Sequence, residues 1–363
     1  MKICVITPRF AIAGVPLAQI RFAKALARRG HDVSLIIGHV EPGYKLPDIS
    51  DVKVEIWHRS KVRDMFWPVA RYLREKRPDV VFSAEDHLNT IVLAAAIITR
   101  SKAKISGSSR VTPFDTYSNR PFSKRWILKQ LAKTVMWRAD ALTCVSRDMV
   151  DQYRQVFSNP KHVAVYNIVD DAASRQRMLT PVEHPWLIAK ARPVVVAAGR
   201  LASWKGFATL IDAIASFEPD SRPRLLILGD GPLRASLQDQ IDRSGLREFA
   251  ELVGYVENPL SYFVAADVFA LSSLVEGMPN VLVEAMMCGC TPVSTDCPTG
   301  PRELLQDGKY GYLVPVQDPA ALAGAIDQAL QRPVSDALLA EAVRPFEENA
   351  VIDRHLEVLE LPG

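Results

Sequence analysis

The chain has 363 residues, of which 48% are hydrophobic and 23% are charged, a composition that excludes a disordered or fibrous protein. This length exceeds what one hydrophobic core usually supports and therefore predicts two domains. The longest apolar stretch, Ile91–Ile98, is shorter than the roughly 20 residues that a membrane-spanning helix requires. Met1–Thr7 has the pattern of a buried strand without the small-residue cleavage site of a signal peptide, which favours a cytoplasmic location.

The net charge of +3 is unevenly distributed along the chain. Residues 1–180 contain 30 Lys and Arg against 16 Asp and Glu, a net charge of +14, whereas residues 181–363 contain 14 against 25, a net charge of −11. A basic half joined to an acidic half indicates two domains with different partners.

Strand and helix patterns alternate in the first half. Short apolar runs predict strands at Lys2–Thr7, Asp32–Ile37, Val52–Trp57, Asp79–Ser83, Ala103–Gly107 and Ala139–Ser146. Amphipathic patterns predict helices at Leu17–Arg29, Asp64–Arg77, His87–Arg100 and Ser123–Arg138. Strands separated by helices indicate a parallel sheet that is covered on both faces.

A polar stretch with several prolines interrupts this pattern near residues 171–192 and predicts a linker. The alternation then restarts. Strands are predicted at Val194–Ala198, Arg224–Leu228, Val268–Ser272 and Thr291–Ser294. Helices are predicted at Phe207–Ser216, Leu233–Ser244, Asn280–Cys288, Pro301–Gln306 and Ala320–Gln331.

The sequence therefore predicts an α/β protein of two tandem Rossmann-like, doubly wound domains that face each other across a cleft. The predicted boundaries are residues 1–175 for the first domain, 176–192 for the linker and 193–340 for the second domain. Residues 341–363 are expected to form a helical tail that returns toward the first domain.

Two cations follow the first strand of the second half. Arg200 comes directly after Val194–Ala198 and Gly199, and Lys205 precedes the next predicted helix. Cations at a strand end beside a helix N-terminus attract a diphosphate. A solvated Arg and a helix-flanking Lys are an equally good interpretation of these two residues alone.

The segment from Ser272 to Gly289 carries the strongest functional pattern. Glu276 lies in a short loop after a strand, and Glu284 lies between Val283 and Ala285 in an apolar helix. A carboxylate is costly to bury unless it is hydrogen-bonded, and sugar hydroxyls are suitable donors. The alternative is a Glu284 side chain that points to solvent, which the apolar surroundings disfavour.

These motifs resemble those of the family 4 retaining glycosyltransferases, which have the two-Rossmann GT-B architecture. Glu276 and Glu284 have the E-x₇-E spacing of that family. The similarity runs over nearly the whole chain and includes Gly199–Leu201, Lys205–Gly206, Leu228–Pro232, Ala266–Val268, Glu276–Ala285 and Ser294–Glu303. The last of these resembles the version in bacterial enzymes that build surface polysaccharides and lipid-linked oligosaccharides.

The resemblance implies a role for each residue. Arg200 and Lys205 would bind the donor diphosphate, Glu276 would contact the transferred sugar and Glu284 would hold the ribose. The backbone near the start of the helix would contact phosphate or sugar through residues Gly277, Met278, Pro279, Asn280 and Val281. Gly229, Gly231 and Tyr255 would lie near the nucleoside. No metal ion and no cofactor are expected, because these cations can stabilise the leaving diphosphate themselves.

The first half departs from the family pattern in two places. The family's first loop has two adjacent glycines, whereas this chain has Ala13-Gly14-Val15, so that only Gly14 would approach phosphate or sugar. Many relatives also have a His after the fifth strand, and none is present here. Ser108 or Arg110 would occupy that place, and His87 is a further candidate for an acceptor or sugar contact.

Two basic stretches with aromatic residues, at residues 57–77 and 124–138, suit an anionic membrane or a lipid-diphosphate acceptor. For the helix in the second stretch the favoured interpretation is ordinary packing on the sheet with its lysines facing water, through Trp126, Ile127, Leu131, Val135 and Met136. We therefore expect peripheral contact between the basic half and the inner face of the cell membrane. A nucleic-acid partner is not expected, since nucleic-acid binding would not account for the Glu276 and Glu284 pattern.

Together these features predict a retaining, metal-independent glycosyltransferase. It would move a hexose or N-acetylhexosamine from a nucleotide-diphosphate sugar, preferably a UDP-sugar, to a lipid-linked, polysaccharide or lipopolysaccharide acceptor. A GDP-sugar donor, a soluble acceptor, or a nucleotide-sugar hydrolase or epimerase on the same scaffold are the alternatives.

Overall fold

The computed structural model describes residues 1–11, 14–47, 49–158 and 161–362. The chain forms two compact units. The first contains residues 1–168 and 348–363, and the second contains residues 169–347.

The first unit is built on a parallel sheet of seven strands. Its strands are β1 (Lys2–Thr7), β2 (Asp32–Ile37), β3 (Lys53–Ile56), β4 (Val80–Ala84), β5 (Lys104–Ser109), β6 (Ala141–Cys144) and β7 (His162–Ala164). The order across the sheet is β3-β2-β1-β4-β5-β6-β7. All five residues of β4 are buried, as expected for a central parallel strand that is covered on both faces.

Six helices connect these strands. They are α1 (Gly14–Arg28), α2 (Phe66–Lys76), α3 (Asp86–Thr99), α4 (Pro113–Thr116), α5 (Lys124–Val135) and α6 (Arg147–Phe157). Side-chain hydroxyls cap the starts of α4, α5 and α6: Thr112 accepts a hydrogen bond from the Phe114 amide, Ser123 from the Trp126 amide and Ser146 from the Met149 amide.

The second unit has a parallel sheet of six strands in the order β10-β9-β8-β11-β12-β13. The strands are β8 (Val194–Ala198), β9 (Arg224–Leu228), β10 (Ala250–Gly254), β11 (Val268–Leu271), β12 (Thr291–Thr295) and β13 (Tyr312–Val314). The helices are α7 (Ala172–Met178), α8 (Pro185–Ile188), α9 (Phe207–Ala215), α10 (Arg234–Arg243), α11 (Pro259–Ala265), α12 (Asn280–Met287), α13 (Pro301–Leu304), α14 (Pro319–Gln331) and α15 (Asp336–Val343).

The last helix, α16 (Glu348–Val358), belongs to the first unit. Val351, Ile352 and Leu356 join the apolar core that packs α1 on its sheet. His355 is also buried there, with its ring against Phe22 at a centroid distance of 4.7 Å. The end of the chain thus returns to the unit in which it began.

Residues 169–192, which include the predicted linker, pack within the second unit. Both α7 and α8 contact α11. The residues that suggested a linker instead begin short helices: Asp171 caps α7, and Pro185 occupies the first turn of α8, where its missing N–H costs no hydrogen bond. The structure therefore places the first boundary at Ile168 instead of residue 175.

Two doubly wound parallel sheets with helices on their faces confirm the predicted fold class. None of the described helices combines the length and the apolar composition that crossing a bilayer requires.

Candidate active site

The second sheet has its topological switch point between β8 and β11. The chain runs from β8 outward to β9 and β10 and then crosses back to β11, which pairs with β8. Loops that follow two such strands leave in opposite directions and open a crevice at the carboxyl ends, where ligands of doubly wound sheets bind. Arg200 and Lys205 follow β8, and Glu276 follows β11.

Lys205 and Glu276 form a part-buried ion pair in this crevice. The Lys205 Nζ atom donates to Glu276 Oε1 over 2.6 Å, and the side chains are only 16% and 12% exposed. The Ser273 hydroxyl donates to the same oxygen over 2.6 Å. Glu276 is therefore held in one orientation, and its second carboxylate oxygen makes no hydrogen bond with any described side chain.

The loops that carry Lys205 and Glu276 are tied together by the backbone. The Ser272 hydroxyl donates to the Lys205 carbonyl over 2.9 Å, and the Leu274 amide donates to the Trp204 carbonyl over 2.7 Å. Gly206 has φ +63°, and a Cβ atom there would lie 2.0 Å from the Ser272 carbonyl oxygen. Only glycine fits this close approach between the two strand ends.

The segment that follows β12 also supports Glu276. The Glu276 amide donates to the Pro298 carbonyl over 3.3 Å, and the Thr299 hydroxyl donates to the Glu276 carbonyl. Cys297 lies close by, and burial together with the charge of Glu276 raises the pKa of its thiol to about 12. Neither Ser273 nor Thr299 was singled out from the sequence, although Thr299 lies in the Ser294–Glu303 segment that carried the family resemblance.

Arg200 differs from Lys205. Its side chain is exposed, and the guanidinium makes no hydrogen bond or ion pair with any residue that the structure describes. The switch point therefore presents one cation that is already paired and one that remains available to an anion.

Glu284 lies one turn before the end of α12. It is half-buried between the buried residues Val283 and Ala285. Burial and the charge of Glu284 raise the pKa of the Cys288 thiol to about 12, which shows that the carboxylate and the thiol are near neighbours. The segment that precedes it is well packed: Met278 and Pro279 are buried, and Gly277, Asn280 and Val281 are half-buried. Of the amides expected to face a ligand, that of Asn280 donates to the Met278 carbonyl over 2.9 Å.

The residues expected near the nucleoside lie at the ends of β9 and β10. Gly229 has φ +136°, and a Cβ atom there would lie 2.0 Å from the Gly199 carbonyl oxygen, so that the loops after β8 and β9 touch. The Gly229 amide donates to the Gly254 carbonyl over 2.7 Å. Gly231 packs on Leu201, and Tyr255 projects outward with 66% of its surface exposed.

The first sheet has an equivalent switch point between β1 and β4. Ser108 is buried at the end of β5, and Arg110 follows that strand and donates to Asn167 Oδ1. His87 is exposed in the first turn of α3. Gly14 begins α1, and Ala13 lies outside the described residues.

The sequence analysis missed two acidic residues at this first switch point. Asp86 is buried and accepts hydrogen bonds from the Ser109 and Tyr153 hydroxyls, both over 2.6 Å. Glu85 directly follows β4, and burial raises the pKa of its carboxyl group, an effect that Arg9 and Arg110 oppose. Two acids directly after a mostly apolar strand were the available signal.

A search of the described residues for three or more His, Cys, Asp or Glu side chains able to hold one metal ion finds no such group.

Family comparisons match both units. Residues 14–167 match a model described as a glycosyl transferase 4-like domain, and residues 192–332 match a model described as glycosyl transferases group 1.

Individual relatives agree with these matches. One is the N-acetylgalactosamine-N,N'-diacetylbacillosaminyl-diphospho-undecaprenol 4-alpha-N-acetylgalactosaminyltransferase of Campylobacter jejuni, 30% identical over 255 residues, which are 70% of this chain and 67% of the relative. A second Campylobacter jejuni protein, GalNAc-alpha-(1->4)-GalNAc-alpha-(1->3)-diNAcBac-PP-undecaprenol alpha-1,4-N-acetyl-D-galactosaminyltransferase, is 27% identical over 349 residues, covering 91% of this chain and 89% of that one.

Solved structures share the fold. The crystal structure of Anabaena HepE in complex with UDP has a TM-score of 0.80 at 21% identity and covers 99% of this chain and 100% of its own. With two doubly wound units and a family match in each, this chain belongs to the glycosyltransferases of the GT-B type.

Proposed function

We propose that this protein is a retaining, metal-independent glycosyltransferase of family 4. It would transfer a hexose or N-acetylhexosamine from a UDP-sugar to a lipid-linked, polysaccharide or lipopolysaccharide acceptor. The observation that carries the proposal is the arrangement at the second switch point, where the loop after β8 carries both an exposed Arg200 and the Lys205 that pairs with Glu276.

The cations at this switch point suit a diphosphate. An ammonium group has three N–H donors, so Lys205 can keep its hydrogen bond to Glu276 and still donate to a phosphate oxygen. The Arg200 guanidinium is exposed and can bind two oxygens at once. Both would offset the negative charge that builds on the diphosphate as the sugar departs, so no metal ion or other cofactor is required.

The two carboxylates suit the neutral parts of the donor. Glu276, held by Lys205 and Ser273, would accept hydrogen bonds from hydroxyls of the transferred sugar. Glu284 would accept from the ribose hydroxyls. Gly229, Gly231 and Tyr255 would line the nucleoside, and the backbone from Gly277 to Val281 would approach the phosphate or sugar.

Retention would follow if the acceptor attacks the face from which the diphosphate leaves. The bond between the anomeric carbon and the diphosphate oxygen breaks, the bond to the acceptor oxygen forms, and the departing phosphate takes the acceptor's proton. The anomeric carbon then keeps its configuration, and the second unit needs no separate base.

The donor and acceptor classes rest on relatives. Two Campylobacter jejuni relatives are named as N-acetylgalactosaminyltransferases with diphospho-undecaprenol-linked substrates, and Anabaena HepE was crystallised with UDP. A GDP-sugar donor or a soluble acceptor would use the same chemistry. A hydrolase or epimerase on this scaffold is the second candidate, and the products of donor turnover distinguish it from a transferase.

We also propose that the first unit contacts the inner face of the cell membrane. Helices α2, α3 and α5 are neighbours on one side of its sheet. Their exposed surface, together with the turn that follows α5, is called here the basic face. Its large apolar side chains are Trp67, Ile98, Ile127, Leu131 and Trp137, each at least 47% exposed. Its exposed cations are Arg71, Arg74, Lys76, Arg77, Arg100, Lys124, Arg125 and Lys133.

Acidic residues are sparse on the basic face. Between Asp115 and Asp140 the chain has six Lys and Arg and no acidic residue. A groove of about 900 Å³ between α2 and α3 is lined by both apolar and cationic side chains, among them Trp67, Arg74 and Arg100. Aromatic rings at headgroup depth with surrounding cations are typical of proteins that bind anionic membranes.

The test of the proposed function is donor turnover. The purified protein is incubated with UDP-glucose, UDP-galactose, UDP-N-acetylglucosamine, UDP-N-acetylgalactosamine and GDP-mannose, with and without EDTA. We expect release of UDP from one UDP-sugar, at the same rate in EDTA, and a glycoside product with the donor's anomeric configuration when an acceptor is present. Release of GDP alone would reassign the nucleotide, loss of activity in EDTA would overturn metal independence, and free sugar as the sole product with every acceptor would favour a hydrolase.

A further inference from the structure

Glu85 has a backbone conformation that L-residues rarely adopt. Its φ is +78° and its ψ is +133°. The conformation is fixed on both sides, because the Glu85 amide donates to the Ser108 carbonyl over 3.0 Å and its carbonyl accepts from the Asn89 amide over 2.9 Å. A glycine would be less strained here, so a side chain that persists at this position points to a use for it.

The Glu85 side chain takes no part in the hydrogen bonds that hold this switch point together. Asp86 makes the hydrogen bonds that join the start of α3 to β5 and α6, through Ser109 and Tyr153. The Glu85 carboxylate, by contrast, makes no hydrogen bond or ion pair with any described residue. Because burial without a partner is unfavourable for a carboxylate, a ligand group that donates hydrogen bonds would be stabilising there.

The surroundings of Glu85 are those of a binding site. Glu85 follows β4 at the switch point with β1, and Arg110 follows the neighbouring strand β5. Arg9, from the loop after β1, and Arg110 both act on the charge of Glu85. Arg110 is held by Asn167, and its Nε atom is buried without a hydrogen-bond partner among the described residues. Three strand ends thus bring one carboxylate and two guanidinium groups together.

We propose that Glu85 binds the acceptor in the first unit, where its carboxylate accepts a hydrogen bond from a hydroxyl of the acceptor sugar. A carboxylate repels phosphate and accepts from hydroxyls, so the ligand group here is a sugar hydroxyl and not the diphosphate of a lipid carrier. The inference rests on the proposed function, since it concerns the acceptor of the same transfer.

The test compares two reactions of one enzyme. Hydrolysis of the UDP-sugar uses water and needs no acceptor sugar, whereas transfer is measured to a panel of octyl glycosides of glucose, galactose, N-acetylglucosamine and N-acetylgalactosamine. For Glu85→Gln we expect hydrolysis within about twofold of wild type. Loss of a hydrogen bond to a charged group should lower kcat/KM for the glycoside about 10- to 100-fold, mainly through KM.

Two further variants make the outcomes distinct. Glu357→Gln, at an exposed position on α16, is the matched control and should change neither reaction. Glu85→Gly relieves the backbone, so its Tm should equal or exceed that of wild type while transfer is still lost. A lower Tm for Glu85→Gly would show that the side chain serves the fold, and this would overturn the inference.

The inference also fails if Glu85→Gln transfers as well as wild type, or if hydrolysis and transfer fall together. Two other outcomes would instead contradict the proposed function: donor hydrolysis by wild type without transfer to any glycoside, and absence of both hydrolysis and transfer by wild type.

Discussion

The two sheets carry different chemistry at equivalent places. At the second switch point Lys205 and Glu276 neutralise each other over 2.6 Å, and Arg200 remains available. At the first, Glu85 has no hydrogen-bond partner among the described residues, although two arginines act on its charge. The same topology thus builds two crevices with different side chains at the strand ends, for which we propose different ligands: a diphosphate sugar in the second unit and a sugar hydroxyl in the first.

The largest effect is expected from substitutions at the second switch point. Glu276→Gln keeps the side-chain volume and removes the charge that pairs with Lys205, and Arg200→Ala removes the available cation. Each should lower transfer about 100- to 1,000-fold, the usual cost of losing one transition-state contact. Turnover of the UDP-sugar measures this effect, with Tm as the check on folding.

Arg247→Ala provides the matched control for Arg200→Ala. Arg247 is an equally exposed arginine of the second unit, paired only with Asp242 on the surface, so its loss should leave turnover unchanged. Near-normal turnover in both Glu276→Gln and Arg200→Ala would remove these residues from the active site.

A smaller effect is expected on the basic face of the first unit. Arg74→Ser with Arg100→Ser should remove about 1 kcal/mol of attraction per cation, and so weaken binding to vesicles with 30% phosphatidylglycerol about 30-fold. Co-sedimentation measures the binding, which should also fall as salt rises.

Leu179→Ser is the control for this surface, because Leu179 is 74% exposed but lies in the second unit. Equal binding by wild type and the double arginine variant, or binding to neutral vesicles as strong as to anionic ones, would argue against membrane contact through the basic face.

The smallest effect concerns stability of the first unit in acid. Burial and the charge of Arg110 lower the pKa of His355 to about 3, from 6.5. Between these two values the unfolded chain binds a proton that the folded chain does not, so stability should fall as pH drops below about 6.5, by about 1.4 kcal/mol per pH unit at most.

His355→Phe should remove this dependence, since a phenyl ring can pack against Phe22 and Phe82 without a proton to gain. Thermal melts at pH 7.5 and pH 5 test it: the Tm difference between the two pH values should be smaller in the variant. Parallel pH dependence of wild type and variant would show that His355 does not titrate as the structure indicates.

Much of the fold was predictable from local patterns. Lys2–Thr7, Asp32–Ile37, Val194–Ala198 and Arg224–Leu228 are apolar enough that predicted and observed strands coincide. Strands β7 and β13 were missed because three residues are too few to show a period. Strand β10 (Ala250–Gly254) was missed although it has five residues. Helix α6 was missed although its buried residues, among them Met149 and Tyr153, have helical spacing.

The candidate site residues could be named from the sequence, but the contacts between them could not. Lys205 and Glu276 are far apart in sequence, and only the strand order places β8 beside β11 and so brings the two side chains together. The supporting hydroxyls of Ser273 and Thr299 are small and common, so nothing in composition marks them. Glu85 was missed because its distinguishing feature is a backbone angle, which a sequence pattern does not show.

The central claim, that the second switch point binds the donor diphosphate through Arg200 and Lys205, is tested most directly by calorimetric titration of UDP into wild type, Arg200→Ala and Arg247→Ala in EDTA. We expect wild type and Arg247→Ala to bind UDP with the same affinity, and Arg200→Ala to bind at least about tenfold more weakly, since hydrogen bonds to charged groups contribute about 1.5–3 kcal/mol. Equal affinity in all three proteins, or UDP binding only when Mg²⁺ is added, would contradict the claim.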